Sequence, residues 1–296
     1  MQIIEVSSPS LAGDFHKIPH TIYKNDPNYI HHLKQDIEGV FEQKKNKFFR
    51  HGEATRWVLK NSDGKLIGRV AAFINRKDIK PNKIKVGGMG FFECIDDKQA
   101  AFKLLDTCRD WLLLKGMEAM EGPVNFGERD KYWGLIIDNF TMPPYYGQNY
   151  NPPYYIPFFE DYGFKEYFQQ YIYHRSVQEP LQERYVERAA RIFKDSRYEI
   201  KRIEKNKLEK YAEDFRAIYN RAWVKHDSHK GMPQVQAMAL MNKIKPILDE
   251  DLICFAYFEG KPVGFYISLP EINQAFKYVK GNFNLLGKLK FLYHKW

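Results

Sequence analysis

The sequence predicts an α+β fold, a mixed central sheet flanked by helices, and it predicts that fold twice. Three observations carry this reading. Residues 84–126 run strand, turn, helix, strand: Met89, Phe91 and Phe92 are β-prone, and from Gln99 to Lys115 the apolar spacing becomes helical. Two apolar runs, Arg56–Leu59 and Lys65–Ile74, flank the turn Asn61-Ser62-Asp63-Gly64 and predict a hairpin. That hairpin returns 196 residues later, where Gly260-Lys261-Pro262-Val263-Gly264 matches Gly64-Lys65-Leu66-Ile67-Gly68. An apolar strand precedes each hairpin, and strand, helix, helix precede each of those, which is the pattern of a tandem duplication.

In chain order, Met1–Val6 alternates as a short strand. Leu11–Tyr23 is a helix interrupted at Pro19, and Asn25-Asp26-Pro27 breaks the chain. A second helical pattern covers Ile30–Gln43. The hairpin and the residue 84–126 unit follow. Asp96 or Asp97 is the N-cap of the unit's helix, placed where the helix dipole favours negative charge. Ala101, Leu105, Cys108 and Leu112 share one face, and Gly116 ends the helix. Met117–Met120 begins a second strand, and a crossover of this length favours parallel pairing. Phe158–Tyr162 is helical, Gly163 ends it, and Phe164–Val177 alternates as a strand or hairpin.

After Glu179-Pro180 comes a basic amphipathic helix over Leu181–Phe193. Then follow a strand (Tyr198–Ile203), two helices (Leu208–Trp223, Val235–Leu248) and the second hairpin, within Asp251–Leu269. Asn282–Trp296 reads as a basic amphipathic helix. The domain assignment is therefore residues 1–177, a connecting helix over 178–197, and 198–296.

At 296 residues the chain can bury two cores. The net charge of +9 is dispersed, with no run of five basic residues. A Lys-rich solvated surface and a surface for polyanions both accommodate it; a DNA-binding arm does not. Cys94, Cys108 and Cys254 have no metal-ligand spacing and read as buried free thiols of a reducing compartment. No signal peptide or membrane span is legible, which predicts a cytoplasmic protein; no metal site is expected.

Several segments carry candidate chemistry beside a structural alternative. His31-His32 invites a metal reading, but neighbours on a helix diverge, so surface histidines are expected. The Pro- and Tyr-rich Met142–Phe159 is either a wall of a substrate pocket or a lid on its own core. His226-Asp227-Ser228-His229 is either a metal or general-base site or a polar loop between helices. Gly127-Glu128-Arg129-Asp130 is either a source of a base, Glu128 or Asp130, or a solvated turn. There is no phosphate-binding Gly-rich motif and no nucleophile elbow.

The order of elements resembles the GCN5-related N-acetyltransferase (GNAT) superfamily, the acyl-CoA N-acyltransferase fold, whose elements run β-α-α-β-β-β-α-β-α-β-β. Gly64-Lys65-x-Ile67-Gly68 resembles its second hairpin. Phe91-Phe92-Glu93-Cys94-Ile95-Asp96 resembles its fourth strand, and Asp161-Tyr162-Gly163-Phe164 the end of its fourth helix. Residues 1–177 would cover the whole pattern. The resemblance implies acetyl-CoA or another acyl-CoA as cofactor. By position in that fold Glu93, Cys94, Ile95, Lys98 and Gln99 would face it, and a small-molecule or peptide amine would accept the acyl group. Glu128, Asp130 and Tyr155 are the catalytic candidates.

The departures are specific. The family's pyrophosphate loop carries glycines whose amides cradle phosphate; here it is Asp96-Asp97-Lys98-Gln99-Ala100-Ala101, without glycine and with two carboxylates. Where the family often has a tyrosine on helix four, this chain has Phe159, with Tyr154 and Tyr155 nearby. The first domain thus reads as a retained fold with a lost pyrophosphate site. The second reads as half a fold, a piece of a longer protein or one completed by another chain, with the glycine-bearing loop expected in a missing C-terminal tail. The leading expectation is acyl transfer from acyl-CoA to an amine. The alternatives are an aminoacyl-tRNA-dependent peptidyltransferase-like enzyme and a non-enzymatic binding module on a decayed fold.

Overall fold

A computed structural model describes residues 1–81, 83–127, 131–223 and 231–295. The chain divides into two compact units, Met1–Phe168 with Ile272–Trp296, and Gln169–Glu271.

The first unit opens with β1 (Gln2–Glu5), α1 (Pro9–Ile22) and α2 (Lys34–Phe41). Ser8 caps α1, and Pro19 lies inside the helix rather than interrupting it. Then come β2 (Gly52–Lys60), β3 (Leu66–Asn75), β4 (Val86–Cys94), α3 (Lys98–Leu114), β5 (Ala119–Glu121) and α4 (Tyr155–Tyr162). The strands form one sheet in sequence order, antiparallel except for the parallel β4–β5 pair. The crossover through α3 is the one its periodicity predicts, and Asp97 is the N-cap, accepting from the amides of Gln99 and Ala100.

The sheet is covered on both faces. Phe15 and Ile18 of α1 and Ile37 of α2 pack on Val58, Ala71 and Phe73. Leu104, Leu105 and Cys108 of α3, with Tyr155 and Phe159 of α4, pack on Val70, Ala72 and Met89. Two buried faces explain why β3 and β4 read as nearly continuous apolar runs.

One irregularity shapes the centre. β3 pairs Ala71 with Gly90 but Arg69 with Glu93, so Phe91 and Phe92 of β4 face a single residue of β3. This β-bulge carries Phe91 at φ 51°, a conformation that disfavours a Cβ. Gly90 is required beside it, because a Cβ there would sit 2.0 Å from the Val124 carbonyl oxygen.

The strand or hairpin expected over Phe164–Val177 is absent. After the Gly163 C-cap the chain makes no ladder, and Tyr167, Tyr171, Ile172, Tyr173 and Val177 are exposed. Alternation predicts a strand only where a partner strand supplies hydrogen bonds and a buried face. The regular elements that precede the second unit therefore end at α4.

The second unit holds α5 (Glu183–Lys194), β6 (Tyr198–Arg202), α6 (Leu208–Trp223), α7 (Gln234–Ile244), β7 (Ile253–Phe258) and β8 (Lys261–Ile267). Its antiparallel sheet runs β6-β7-β8 over a core that includes Tyr211, Met241, Ile253 and Phe255. The β7–β8 turn places Glu259 at φ 48° and Gly260 at φ 72°, as a two-residue turn between right-twisted strands demands. Strand, two helices and hairpin thus occur in the same order in both units.

The chain closes with α8 (Asn273–Phe276) and α9 (Leu285–His294). Sequence placed this segment in the second domain. Instead its contacts lie in the first unit, where Phe276 and Val279 form a small core with Leu33. Cys94 and Cys108 are buried and Cys254 is partly buried; all three are free thiols. No described helix is long and apolar enough to cross a membrane.

The bulge gives a stability test. Gly90→Ala drives a methyl into the Val124 backbone and is expected to cost about 3 kcal/mol. Gly64→Ala meets no neighbour and costs only its positive φ of 75°, about 1 kcal/mol. Chemical denaturation of the two variants beside the parent checks the ranking.

Candidate functional site

The bulge aligns two charged residues that the apolar strands would otherwise exclude. Arg69 of β3 and Glu93 of β4 stand opposite each other, 2% and 6% exposed. Such a pair persists in the interior only with further hydrogen bonds. Arg69 Nη1 donates to the Phe15 carbonyl of α1 at 3.0 Å, and Nη2 lies 3.5 Å from Glu93 Oε1. The Tyr23 hydroxyl donates to Glu93 Oε2 at 2.7 Å, and the Tyr155 hydroxyl reaches the same oxygen at 3.0 Å. Arg69 Nε is buried without a partner.

The electrostatics follow from burial. Desolvation raises the Glu93 carboxyl above its ordinary range, against Arg69 and the two phenols, which favour the carboxylate. Desolvation, reinforced by Glu93, pushes Tyr23 and Tyr155 well up, so both remain phenols at neutral pH.

A ring of histidines surrounds Arg69. His16 and His20 share one face of α1. His31 and His32 precede α2, which begins at Lys34, so the expected helix over Ile30–Gln43 is shorter. The expectation of surface histidines fails for this reason: the pair lies on non-helical chain before α2 and is half-buried. His20 stacks on His31 at 3.8 Å, and His32 meets Tyr132 edge-on at 4.9 Å. Burial, then positive neighbours that include Arg69, holds both His31 and His32 down at about 3. Burial likewise lowers His16 and His20. Behind them, burial would raise Glu38, but hydrogen bonds from His16 at 2.6 Å and bidentate Arg56 hold it down at about 2.

Two clefts meet at Arg69 and His32. The first is lined by His16, His20, Tyr29, His31, Lys34 and Gly281. The second lies beyond the short β4–β5 pairing, between the bulge (Phe91, Phe92, Glu93) and Pro123, Leu135, Tyr150 and Tyr155. The aromatic, Pro-rich stretch therefore serves as a wall of this cleft through Asn149, Tyr150 and Asn151, while Phe158 and Phe159 fill the core.

Of the sequence-predicted residues, Glu93 and Tyr155 are brought together, although only Tyr155 was read as catalytic. Cys94 lies beside them, its amide donating to Tyr155 Oη at 2.7 Å and its carbonyl accepting from Tyr154 at 3.0 Å. The Ile95 amide is bonded to the Ile67 carbonyl. Lys98 pairs with Asp161 at 2.8 Å, and the Gln99 amide is held by Asp97. The α3 N-terminus is thus already occupied by a carboxylate of the chain and does not fit a pyrophosphate. Glu128, Asp130 and the loop His226-Asp227-Ser228-His229 lie outside the described residues. No group of metal-ligating side chains occurs among the described residues.

Sequence reading missed Arg69, Tyr23 and the histidine ring. Two signals were available: a lone charge inside each of two apolar strands, and His16–His20 at helical spacing.

No protein-family model matches the chain. A bacterial ceramide synthase of Caulobacter vibrioides is 24% identical over 99% of this chain and 76% of its own length. Protein YghO of Escherichia coli is 23% identical over 94% of this chain and 70% of its own length. Among solved structures, a GCN5-related glucosamine N-acetyltransferase region of a fungal multi-domain GH3 β-N-acetylglucosaminidase aligns with a TM-score of 0.46 and 12% identity. That alignment covers 89% of this chain and 27% of the fungal chain. An acetyltransferase of the GNAT family from Staphylococcus aureus aligns with a TM-score of 0.29 and 15% identity, over 42% of this chain and 74% of that one. These likenesses are too remote to fix the fold, which rests on the chain's own element order, sheet order and parallel β4–β5 pair.

The buried histidines set a pH test. Because the folded pKa values of His31 and His32 lie below the unfolded 6.5, the unfolded chain binds more protons between about 3 and 6.5. Their contribution is complete above pH 6.5 and is lost as pH falls towards 3. The raised Glu93 acts oppositely, losing stability as pH rises above 4.5. The melting temperature followed from pH 7.5 to pH 4.5 should fall less for His31→Asn/His32→Asn than for the parent.

Proposed function

We propose that this chain is an N-acyltransferase that moves an acyl group from acyl-CoA to an amine, with the reaction in the cleft between the β4 bulge and the segment after β5. The observation that carries this is the Glu93 carboxyl, made more basic by burial, facing that cleft beside a phenol that stays protonated. A base shifted towards neutral pH suits removal of a proton from an ammonium group.

Glu93 takes that proton. The free amine attacks the thioester carbonyl carbon, a C–N bond forms, and the C–S bond breaks. The departing thiolate takes a proton from Tyr155, which regains one from the Glu93 carboxylic acid across their 3.0 Å hydrogen bond. The nitrogen loses two protons overall, one to the thiol and one to solvent. Tyr23 and Arg69 hold Glu93 in place throughout.

The relative named a ceramide synthase supports a long-chain acceptor and donor, since a ceramide is the amide of a fatty acid and a long-chain amino alcohol. The aromatic wall at Tyr150 is consistent with apolar substrates. The common order of elements in the two units supports a duplicated fold. Because Asp97 already fills the α3 N-terminus, the CoA phosphates are held elsewhere in this reading.

The protein incubated with radiolabelled palmitoyl-CoA and a long-chain amino alcohol should form the amide and free thiol in equal amounts. Glu93→Gln, isosteric but unable to take a proton, should cut the rate by about 10²–10⁴-fold with the fold retained by circular dichroism. Tyr155→Phe should cut it less. Absence of amide from acyl-CoAs of every chain length would overturn the proposal.

A further inference from the structure

The histidine-lined cleft adjoins the site of the chemistry assigned above, and its composition is one-sided. His16, His20, His31, His32, Lys34 and Arg69 converge on it, and no carboxylate lines it. Arg69 is 98% buried in its side chain, lines the cleft, and leaves Nε without a hydrogen-bond acceptor. An unsatisfied buried guanidinium N–H is costly, and an oxyanion is the acceptor that suits it best.

We propose that this cleft binds a small oxyanion, a phosphate or carboxylate group, held by Arg69 Nε, Lys34 and the imidazoles of His20, His31 and His32. The potential there supports this: the histidines are kept neutral first by desolvation and then by the positive charges of Arg69, Lys34 and Lys280. Glu93 offsets part of the Arg69 charge, and Glu38, which does not line the cleft, is engaged by His16 and Arg56. The anion therefore enters a pocket whose ring nitrogens can each donate or gain a proton. Gly281, whose backbone packs so closely that a Cβ would meet the His32 carbonyl at 2.9 Å, also lines the cleft.

The two clefts share Arg69 and His32. An oxyanion bound here is one side chain away from the proposed acyl-transfer centre, whereas the phosphates of CoA lie at the far end of the pantetheine arm from the thioester. The source is therefore a group carried by the acceptor, or free inorganic phosphate. Assignment to the acceptor rests on the acyltransfer reading; oxyanion binding does not.

Sulfate is the probe. Titrated against chloride at constant ionic strength, it should raise the melting temperature of the full chain saturably and move the imidazole ¹⁵N resonances of His31 and His32. Lys34→Gln and His31→Asn remove donors without touching the Arg69–Glu93 pair, and each should weaken sulfate roughly tenfold. No saturable shift in the parent, or equal affinity in both variants, overturns the site. These readouts need no activity, so they stand even if the chain transfers no acyl group. In the acyl-transfer assay, a sulfate-dependent rise in the acceptor KM alone supports an acceptor-borne group. Unchanged KM values for both substrates overturn that assignment and leave free phosphate as the source.

Discussion

The first unit is organised around one buried ion pair. Arg69 and Glu93 oppose each other across β3 and β4 only because the bulge at Phe91–Phe92 resets the register between them. Either charge alone in that interior would be strongly destabilising. The surroundings answer that constraint: α1 supplies the Phe15 carbonyl, the segment after α1 supplies Tyr23, and α4 supplies Tyr155. The pair thus ties both helical layers to the centre of the sheet. It also defines where the two clefts meet.

That arrangement separates two electrostatic jobs over a short distance. On one side, burial makes a carboxyl more basic beside two phenols. On the other, burial and positive neighbours keep a group of imidazoles uncharged. Both effects have the same origin, removal of water from ionisable groups, and they take opposite directions because one acid is anionic when ionised and the other cationic. A single arginine stands between them, engaged by Glu93 and by a backbone carbonyl but with its Nε left without a partner.

How much of this could be read in advance depends on whether it was local. The β4–α3–β5 crossover was legible because its signals lie within a few residues: Asp97 as cap, a regular apolar spacing in α3, and Gly116 after it. The paired turns at Gly64 and Gly260 were legible for the same reason. The site was not, because the register of Arg69 on Glu93 depends on a bulge that no residue of β4 announces. His31-His32 departs from the surface position that helix periodicity implies, because the chain upstream of Lys34 is not helical. Phe164–Val177 alternates like a strand, yet alternation says nothing about whether a partner exists. The closing helices show the same limit: the amphipathic pattern of α9 is visible in sequence, but its place in the first unit follows from packing of Phe276 and Val279 near Leu33.

The three thiols give the molecule an internal clock of its own integrity. Cys94 and Cys108 sit in the core of the first unit, and burial raises both thiols well above their ordinary range, so neither offers thiolate to a reagent while that core is closed. Cys254, on β7 in the second unit, is partly open to solvent. An alkylating agent therefore marks Cys254 in the native protein and reaches the other two only through opening of the first unit. The mass of the labelled chain, followed over time, separates local exposure in one unit from cooperative opening of the other.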